Sequence, residues 1–427
     1  MAVEAPKVKK WSVPLIIAIV VILILAGSLG WALLQLGAPA PQQVTYPIGL
    51  AIATSGATYQ SDGPIRRDAA QLAIDQMNAQ LAAAGSPIRF QGIPDDTQGT
   101  ADGAKASFQR LAAAGVKVVV GPLSTGEATA VLDFINTNHI VAISPSSTGV
   151  TAAVPNDFLF RAPPTDIPQA KALSQLVSSL GYTKVGIIYR LDDYGRGFEQ
   201  LFEQRFETVY GGQTLNVSYD ISAQDLATEV GQLSTNVQTL GAGPQTAVLV
   251  VAFEGDGIEI FNEARLDTTL SSVRWFGSES MRRSAFLNRT ARPNVVDFVL
   301  NANLTGFFAS PSLNPISTAF EQAYTAKYPS RDPKKSPYSY YSYDSAMLAM
   351  MGVLAAGKYD GDAVKAMIPF VAQSYLGASG SKAMDANGDA IAADYVAWHT
   401  ALDAMSKEYF AEFARWRFAT ETLEFYP

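Results

Sequence analysis

The sequence predicts an α/β protein of two doubly wound parallel-sheet lobes, preceded by one N-terminal transmembrane helix. Three observations carry this reading. The chain has 427 residues and is 48% hydrophobic, more than one ordinary domain needs and enough for two cores. From Tyr46 onward, short β-rich runs alternate with segments of helical period, the pattern of a parallel sheet covered by helices. That alternation restarts after Arg161-Ala162-Pro163-Pro164, and an uncharged apolar run from Pro14 to about Leu36 stands ahead of it.

The apolar run is long enough as a helix to cross a hydrocarbon core of roughly 30 Å. The competing reading is a cleaved signal peptide with Ala38-Pro39-Ala40 as its cleavage site. Against that, Pro41 would follow the cut, and the run exceeds the usual apolar region of about 7–15 residues. Lys7, Lys9 and Lys10 ahead of the run favour a cytoplasmic N-terminus. Residues 1–13 are then cytoplasmic, 14–36 are the anchor, 37–44 are a spacer, and the rest faces the extracytoplasmic side of a cell membrane.

Within the exterior part, Pro47 to Ala53 reads as a buried strand. Ile65, Ala69, Leu72, Ala73 and Met77 recur at helical spacing and form one apolar stripe. Ile88 to Ile93 opens the next unit, whose helix runs from about Ala101 to a stop at Gly115. Val116 to Val120, apolar except for Lys117, reads as a strand of the kind buried on both faces. A helix near 127–136 and the strand Ile140 to Ser144 repeat the unit. After the restart come helix 168–180, strand 184–189, helix 197–209, strand 214–219, helix 224–238, strand 247–252 and strand 273–277. Helices near 257–265, 315–327 and 338–356 are also expected, Met347 and Met350 serving as core filler.

Composition excludes several classes. There is no cysteine, hence no disulfide, thiolate metal site, Cys nucleophile or lipidated N-terminal Cys. A net charge of −8, with no long basic run beyond the N-terminus, argues against a nucleic-acid partner. Asp385-x-Asn387-x-Asp389 starts like a calcium loop but lacks the Gly and Glu that follow in one, so a solvent turn is expected. His139 and His399 lie far apart, and no metal or cofactor is expected. Asn216, Asn288 and Asn303 begin glycosylation sequons. No nucleophile elbow, zinc-ligand helix, Walker loop or acid pair points to an enzyme.

One motif makes chemical sense on its own. Gly121-Pro122-Leu123-Ser124-Thr125-Gly126 follows a buried strand and opens a helix, so backbone N–H groups and the Thr125 hydroxyl can converge on an anion such as a carboxylate. The plainer alternative is that Ser124 or Thr125 only caps the helix. Together with Ile48-Gly49-Leu50, Ser55-Gly56, Asp95-Asp96-Thr97, Ile143-Ser144-Pro145-Ser146-Ser147-Thr148, Asp193-Tyr194-Gly195, Phe276-Gly277-Ser278-Glu279, Tyr343-Asp344 and Asp385-Ala386-Asn387-Gly388-Asp389, in that order, it makes the chain resemble the type I periplasmic binding proteins of the leucine/isoleucine/valine-binding class.

The resemblance implies two lobes joined by three chain crossings, lobe I from 45–163 and 308–378, lobe II from 164–307 and 379–427. It implies a non-enzymatic receptor that holds a small solute, an amino acid or a relative of one, in the interlobe cleft and delivers it to an ABC transporter permease. It places Thr125, Ser146 and Thr148, with Ser124 beside them, on the ligand's carboxylate and amino groups. It also places Tyr194 as a closing aromatic and Glu279 as the acid that pairs with the ammonium. Phe253 stands where branched-chain binders carry Tyr, and Ser61 where they can carry an aromatic, with Tyr59 nearby; these departures touch side-chain specificity. A sensory ectodomain binding a small carboxylate or aliphatic amide is the alternative function, disfavoured by the few residues that precede the span.

Overall fold

The computed structural model describes residues 42–309, 314–391 and 393–427. The expected anchor at 14–36 lies outside the described residues. No helix among the described residues is long and apolar enough to cross a membrane.

In the first half, β1 (Val44–Ala51), β2 (Ile88–Asp95), β3 (Val118–Val120), β4 (Val141–Ser144) and β5 (Leu159–Arg161) form a parallel sheet in the order β2-β1-β3-β4-β5. Val118, Val119 and Val120 are fully buried, because helices cover both faces of such a sheet. Every residue of the predicted stripe in helix Gly63–Ala83 is buried. Helix Thr125–Asn138 starts where Ser124 and Glu127 cap each other reciprocally, and ends at His139 in the left-handed region.

The second half repeats the pattern. β6 (Lys184–Arg190), β7 (Gln213–Tyr219), β8 (Thr246–Val251), β9 (Arg274–Gly277) and β10 (Thr305–Ala309) are parallel in the order β7-β6-β8-β9-β10. Beyond a small ribbon of β11 (Leu376–Gly377) and β12 (Gly380–Ser381), the chain adds β13 (Tyr395–Leu402), β14 (Glu408–Arg417) and β15 (Thr422–Phe425) to this sheet, all antiparallel. The second sheet is therefore mixed rather than purely parallel as expected. For the β13–β14 pair the reason is connection length: the Asp403 carboxylate accepts hydrogen bonds from Met405 N and Lys407 N in a tight turn, too short for a parallel crossover.

Each sheet has its own core. One contains apolar residues from Ile48 to Phe160 and from Phe320 to Ala378; the other spans Ala162 to Ala309 and Tyr395 to Trp416. The chain thus passes between the halves after Arg161, between Ala309 and Ile316, and between Ala378 and Ala393. Phe308 and Ala309, expected in lobe I, pair with Val396 and Tyr395 and remain in the second sheet. Helix Tyr338–Ala356 starts on the boundary, with Tyr338 and Tyr341 in the second core and Tyr340 and Tyr343 in the first.

The expected solvent turn at 385–389 is only half that. Asp385 does accept from Asn387 N and Asp389 N, but Asp389 is 2% exposed and grips Arg161 with both oxygens, at 2.5 and 2.6 Å. Arg161, itself buried, also donates to Gly149 O, so this pair ties two chain crossings to a loop of the first lobe.

Candidate functional site

In both sheets the strand order reverses beside the first strand of the unit, between β1 and β3 and between β6 and β8, and ligands of open α/β sheets sit outside the carboxyl ends of strands at that point. The two sets of strand ends face each other across one small cavity lined from both lobes. Tyr59 reaches it after β1, Ser124 and Thr125 after β3, and Ser146 and Thr148 after β4. From the other side come Tyr194 after β6, Phe253 after β8 and Glu279 after β9. These eight expected contacts line this cavity together with Arg66, Ser280, Arg283 and Tyr338, while Ser61 is not among the lining residues.

On the first-lobe side the groups divide by role. Ser124 is the N-cap: its hydroxyl accepts from Glu127 N and donates to the Glu127 carboxylate at 2.8 Å, so the capping reading holds for this residue. Thr125 is the first helical residue. Its hydroxyl accepts from Gly149 N at 2.9 Å and Ser147 Oγ at 3.3 Å, which leaves its proton for a ligand oxygen. A Cβ on Gly149 would lie 2.7 Å from the Thr125 methyl, so the loop closes this tightly only with glycine there. The first-turn amides of the helix have no intrahelical acceptor, which adds positive dipole at the same spot. Ser146 donates to Leu123 O and accepts from Arg66 Nη1, so its side chain is already committed.

The opposite side is acidic. Glu279 is 4% exposed, and its carboxylate accepts from Gln169 Nε2 at 2.6 Å and Tyr194 Oη at 2.9 Å. Beside it stands Asp166, 1% exposed, at the start of helix Asp166–Ser179. Neither Asp166 oxygen has a partner of ordinary hydrogen-bond geometry among the described residues, although the nearby Thr148 hydroxyl favours its ionised form. Burial raises the pKa of Glu279, and burial followed by the Glu279 charge raises that of Asp166 well above the usual carboxylate range. Two buried acids side by side, one of them with both oxygens unpartnered, are complementary to a cation.

Aromatic rings form the wall between these ends. Tyr194 stacks on Phe253 with ring centres 5.3 Å apart, and the Arg190 guanidinium lies 3.7 Å from the Phe253 ring centre. Phe253 thus serves as a flat surface gripped by the ring and the guanidinium, where a hydroxyl is not needed. The cleft is closed: Ser61 donates to Glu254, Arg283 pairs with Asp62, and Thr129 Oγ1 donates to Asp193 at 2.7 Å, all between lobes. Gly255 permits this approach, since a Cβ there would lie 2.8 Å from that of Ala57.

A comparison with known families agrees with this architecture. Residues 45–398 match the family described as periplasmic binding protein. The chain belongs to that family. The strand order and the interlobe cleft are those of its type I members. A branched-chain amino acid transporter substrate-binding protein of Streptococcus pneumoniae, solved in complex with isoleucine, is 22% identical with a TM-score of 0.68, covering 86% of this chain and 100% of its own. A solute-binding protein of an ABC transporter from R. palustris, solved with 4-hydroxybenzoate, is 16% identical with a TM-score of 0.72, covering 88% and 97%. At such identities these two show the shared fold. An uncharacterised protein of Methanocaldococcus jannaschii is 26% identical over 265 residues, 60% of this chain and 62% of that protein. The chain spans between 25% and 62% of the curated relatives it matches.

Sequence reasoning missed Asp166, Gln169, Arg66, Arg283 and Tyr338. The helix expected at 168–180 left Asp166 outside it, whereas the structure starts that helix at Asp166. Arg66 is fully buried, its guanidinium 5.0 Å from the Tyr59 ring centre and 4.7 Å from that of Tyr338. A cation next to an acid four residues earlier, Asp62, was the available signal.

Proposed function

We propose that this protein is the extracytoplasmic substrate-binding component of an ABC importer and that it closes around a small α-amino acid. The observation that carries the reading is the polarity of the cavity. Glu279 and Asp166 offer buried carboxylates to an ammonium, while the Thr125 hydroxyl and the helix amides behind it offer donors to a carboxylate. Each lobe supplies only part of the set, so closure completes the site and ligand shifts the protein toward the closed form. The role is binding and delivery rather than catalysis.

A second reading, a small aromatic acid, has support from the relative solved with 4-hydroxybenzoate and from the aromatic wall of Tyr59, Tyr194 and Phe253. It leaves the two acids without a cation. A thermal-shift screen of amino acids, amides and benzoates separates the two, because a ligand that binds only the folded state raises its apparent stability. The amino-acid reading expects an α-amino acid to raise the midpoint and small-angle scattering to show compaction on its addition. Stabilisation by hydroxybenzoates alone would overturn it.

We also propose that residues 14–36 are retained as an anchor, with the lobes on the extracytoplasmic face and the importer's permease in the same membrane. The full chain is then expected in the membrane fraction. A mature N-terminus at Pro41 or later, read by N-terminal sequencing, would refute retention and leave the binding assignment standing.

A further inference from the structure

The second lobe brings two helix starts to the cleft, that of helix Asp193–Tyr210 after β6 and that of helix Glu254–Ala264 after β8. Each start carries one ring of the aromatic wall, Tyr194 on the first and Phe253 on the second. Each also carries an acid that joins the lobes: Asp193 accepts from Thr129, and Glu254 accepts from Ser61. The wall and the closing contacts therefore keep their geometry only if the two starts keep theirs relative to each other.

One buried side chain ties them together. Arg190, the last residue of β6 and 6% exposed, donates from Nε to Asp192 at 2.7 Å and from Nη1 to Asp256 at 2.9 Å. Both acids are fixed to the helix starts by backbone groups. Asp192 caps the first helix by accepting from Gly195 N, and Asp256 accepts from Phe253 N and from the Tyr219 hydroxyl. The same guanidinium lies 3.7 Å from the Phe253 ring centre; Phe253 stacks on Tyr194, and Tyr194 donates to Glu279. Gly195 lets the first start come this close, since a Cβ there would lie 2.6 Å from Arg190 Cγ.

Arg190 is not among the residues that line the cavity, so it does not touch a ligand there. Each of these contacts nevertheless ends on a group beside a lining or closing residue. A buried ion pair is weak evidence for stability, whereas a site surface holds its shape where the rotamers of its side chains are locked from behind. Only a planar fork can reach two acids and lie against a ring at once; a lysine ammonium is a point charge.

We propose that Arg190 is a positioning residue of the binding site, locking Phe253, and through it Tyr194, into the wall that closes on the ligand. This rests on the interlobe cavity being the binding site, and it holds for an amino acid and for an aromatic acid alike.

The test is isothermal titration of the full chain in detergent with the common L-amino acids and 4-hydroxybenzoate, then a double-mutant cycle on each probe that binds wild type. The cycle pairs Arg190→Lys with Phe253→Leu, below the melting range of every variant. Arg190→Lys is expected to weaken binding at least about tenfold in the wild-type background and less than about threefold in the Phe253→Leu background. Asp256→Asn keeps an acceptor for Phe253 N but removes a charge that holds the guanidinium, and the same background dependence is expected of it, which keeps the test open if Arg190→Lys does not fold. A lowered melting temperature with Kd within about threefold of wild type overturns the proposal and leaves Arg190 a residue of the fold alone. Equal losses in both backgrounds also overturn it, because Arg190 would then not act through Phe253. Binding of 4-hydroxybenzoate with no amino acid bound overturns the amino-acid reading, and the cycle on that probe still decides the role of Arg190. Binding of none of the probes overturns both.

Discussion

Glu279→Gln is expected to weaken binding of the amino-acid ligand by about 2–5 kcal/mol, on the order of 30-fold to several-thousand-fold in Kd. Glu279 is 4% exposed and already oriented by Gln169 and Tyr194, so an arriving ammonium meets a fixed acceptor and pays little reorganisation. The variant keeps size and shape but leaves the ammonium facing one acid instead of two. Its ligand-free melting temperature is not expected to fall, because the amide removes a buried charge that lies beside Asp166. The pH dependence has a definite sign. A carboxyl whose folded pKa is raised contributes stability that is fully present below the ordinary carboxylate range and is lost as pH rises through the raised value. An ammonium pairs with the ionised form, so wild-type binding releases a proton and tightens as pH rises toward that value, and Glu279→Gln flattens the rise. Titration calorimetry in two buffers of different ionisation enthalpy measures both effects. A Kd within about threefold of wild type, under 1 kcal/mol, would remove the ammonium from the reading.

Asp389→Ala is expected to cost about 3–5 kcal/mol of stability, the usual consequence of leaving a buried cation without its partner. Arg161 and Asp389 are 1% and 2% exposed, bidentate, and placed where two crossings meet. The backbone reinforces the contact, Arg161 N donating to Gly388 O and Ala390 N to Arg161 O. Arg161 also holds Gly149 O, and Gly149 N holds Thr125, so the loss is transmitted to the carboxylate side of the cavity. Chemical denaturation should show a lowered midpoint together with weaker ligand binding. Arg161→Met/Asp389→Leu, which removes both charges, should recover much of the stability. A single variant as stable as wild type would show that water reaches this pair and that the hinge is held by the backbone contacts alone.

The elements legible in the sequence were those with strong local signals. Val118–Val120 and Thr246–Val251 are continuous apolar runs, and Ser124 with Glu127 is a capping box written in the residues themselves. β13, β14 and β15 were not legible: Glu408–Arg417 mixes charged and aromatic residues without a clean alternation, only Ala414 and Trp416 in it are buried, and pairing with its neighbours makes it a strand. Thr125, Tyr194 and Glu279 could be named because their motifs resemble the family's, and their places after recognisable strands, like that of Tyr59, agree with where an α/β sheet presents its ligand contacts.

The sequence by itself determined the alternation of strand and helix, the two-part organisation and the strand ends from which a ligand would be touched, because periodicity and capping act over a few residues. The tertiary structure decided which charges meet. Asp62 contacts Arg283 and Ser61 contacts Glu254 across some two hundred positions of chain, from one lobe to the other. No local pattern encodes such a contact. It exists only once two separately folded sheets face each other, and in this protein the open hydrogen-bonding sites of the ligand cavity are made there.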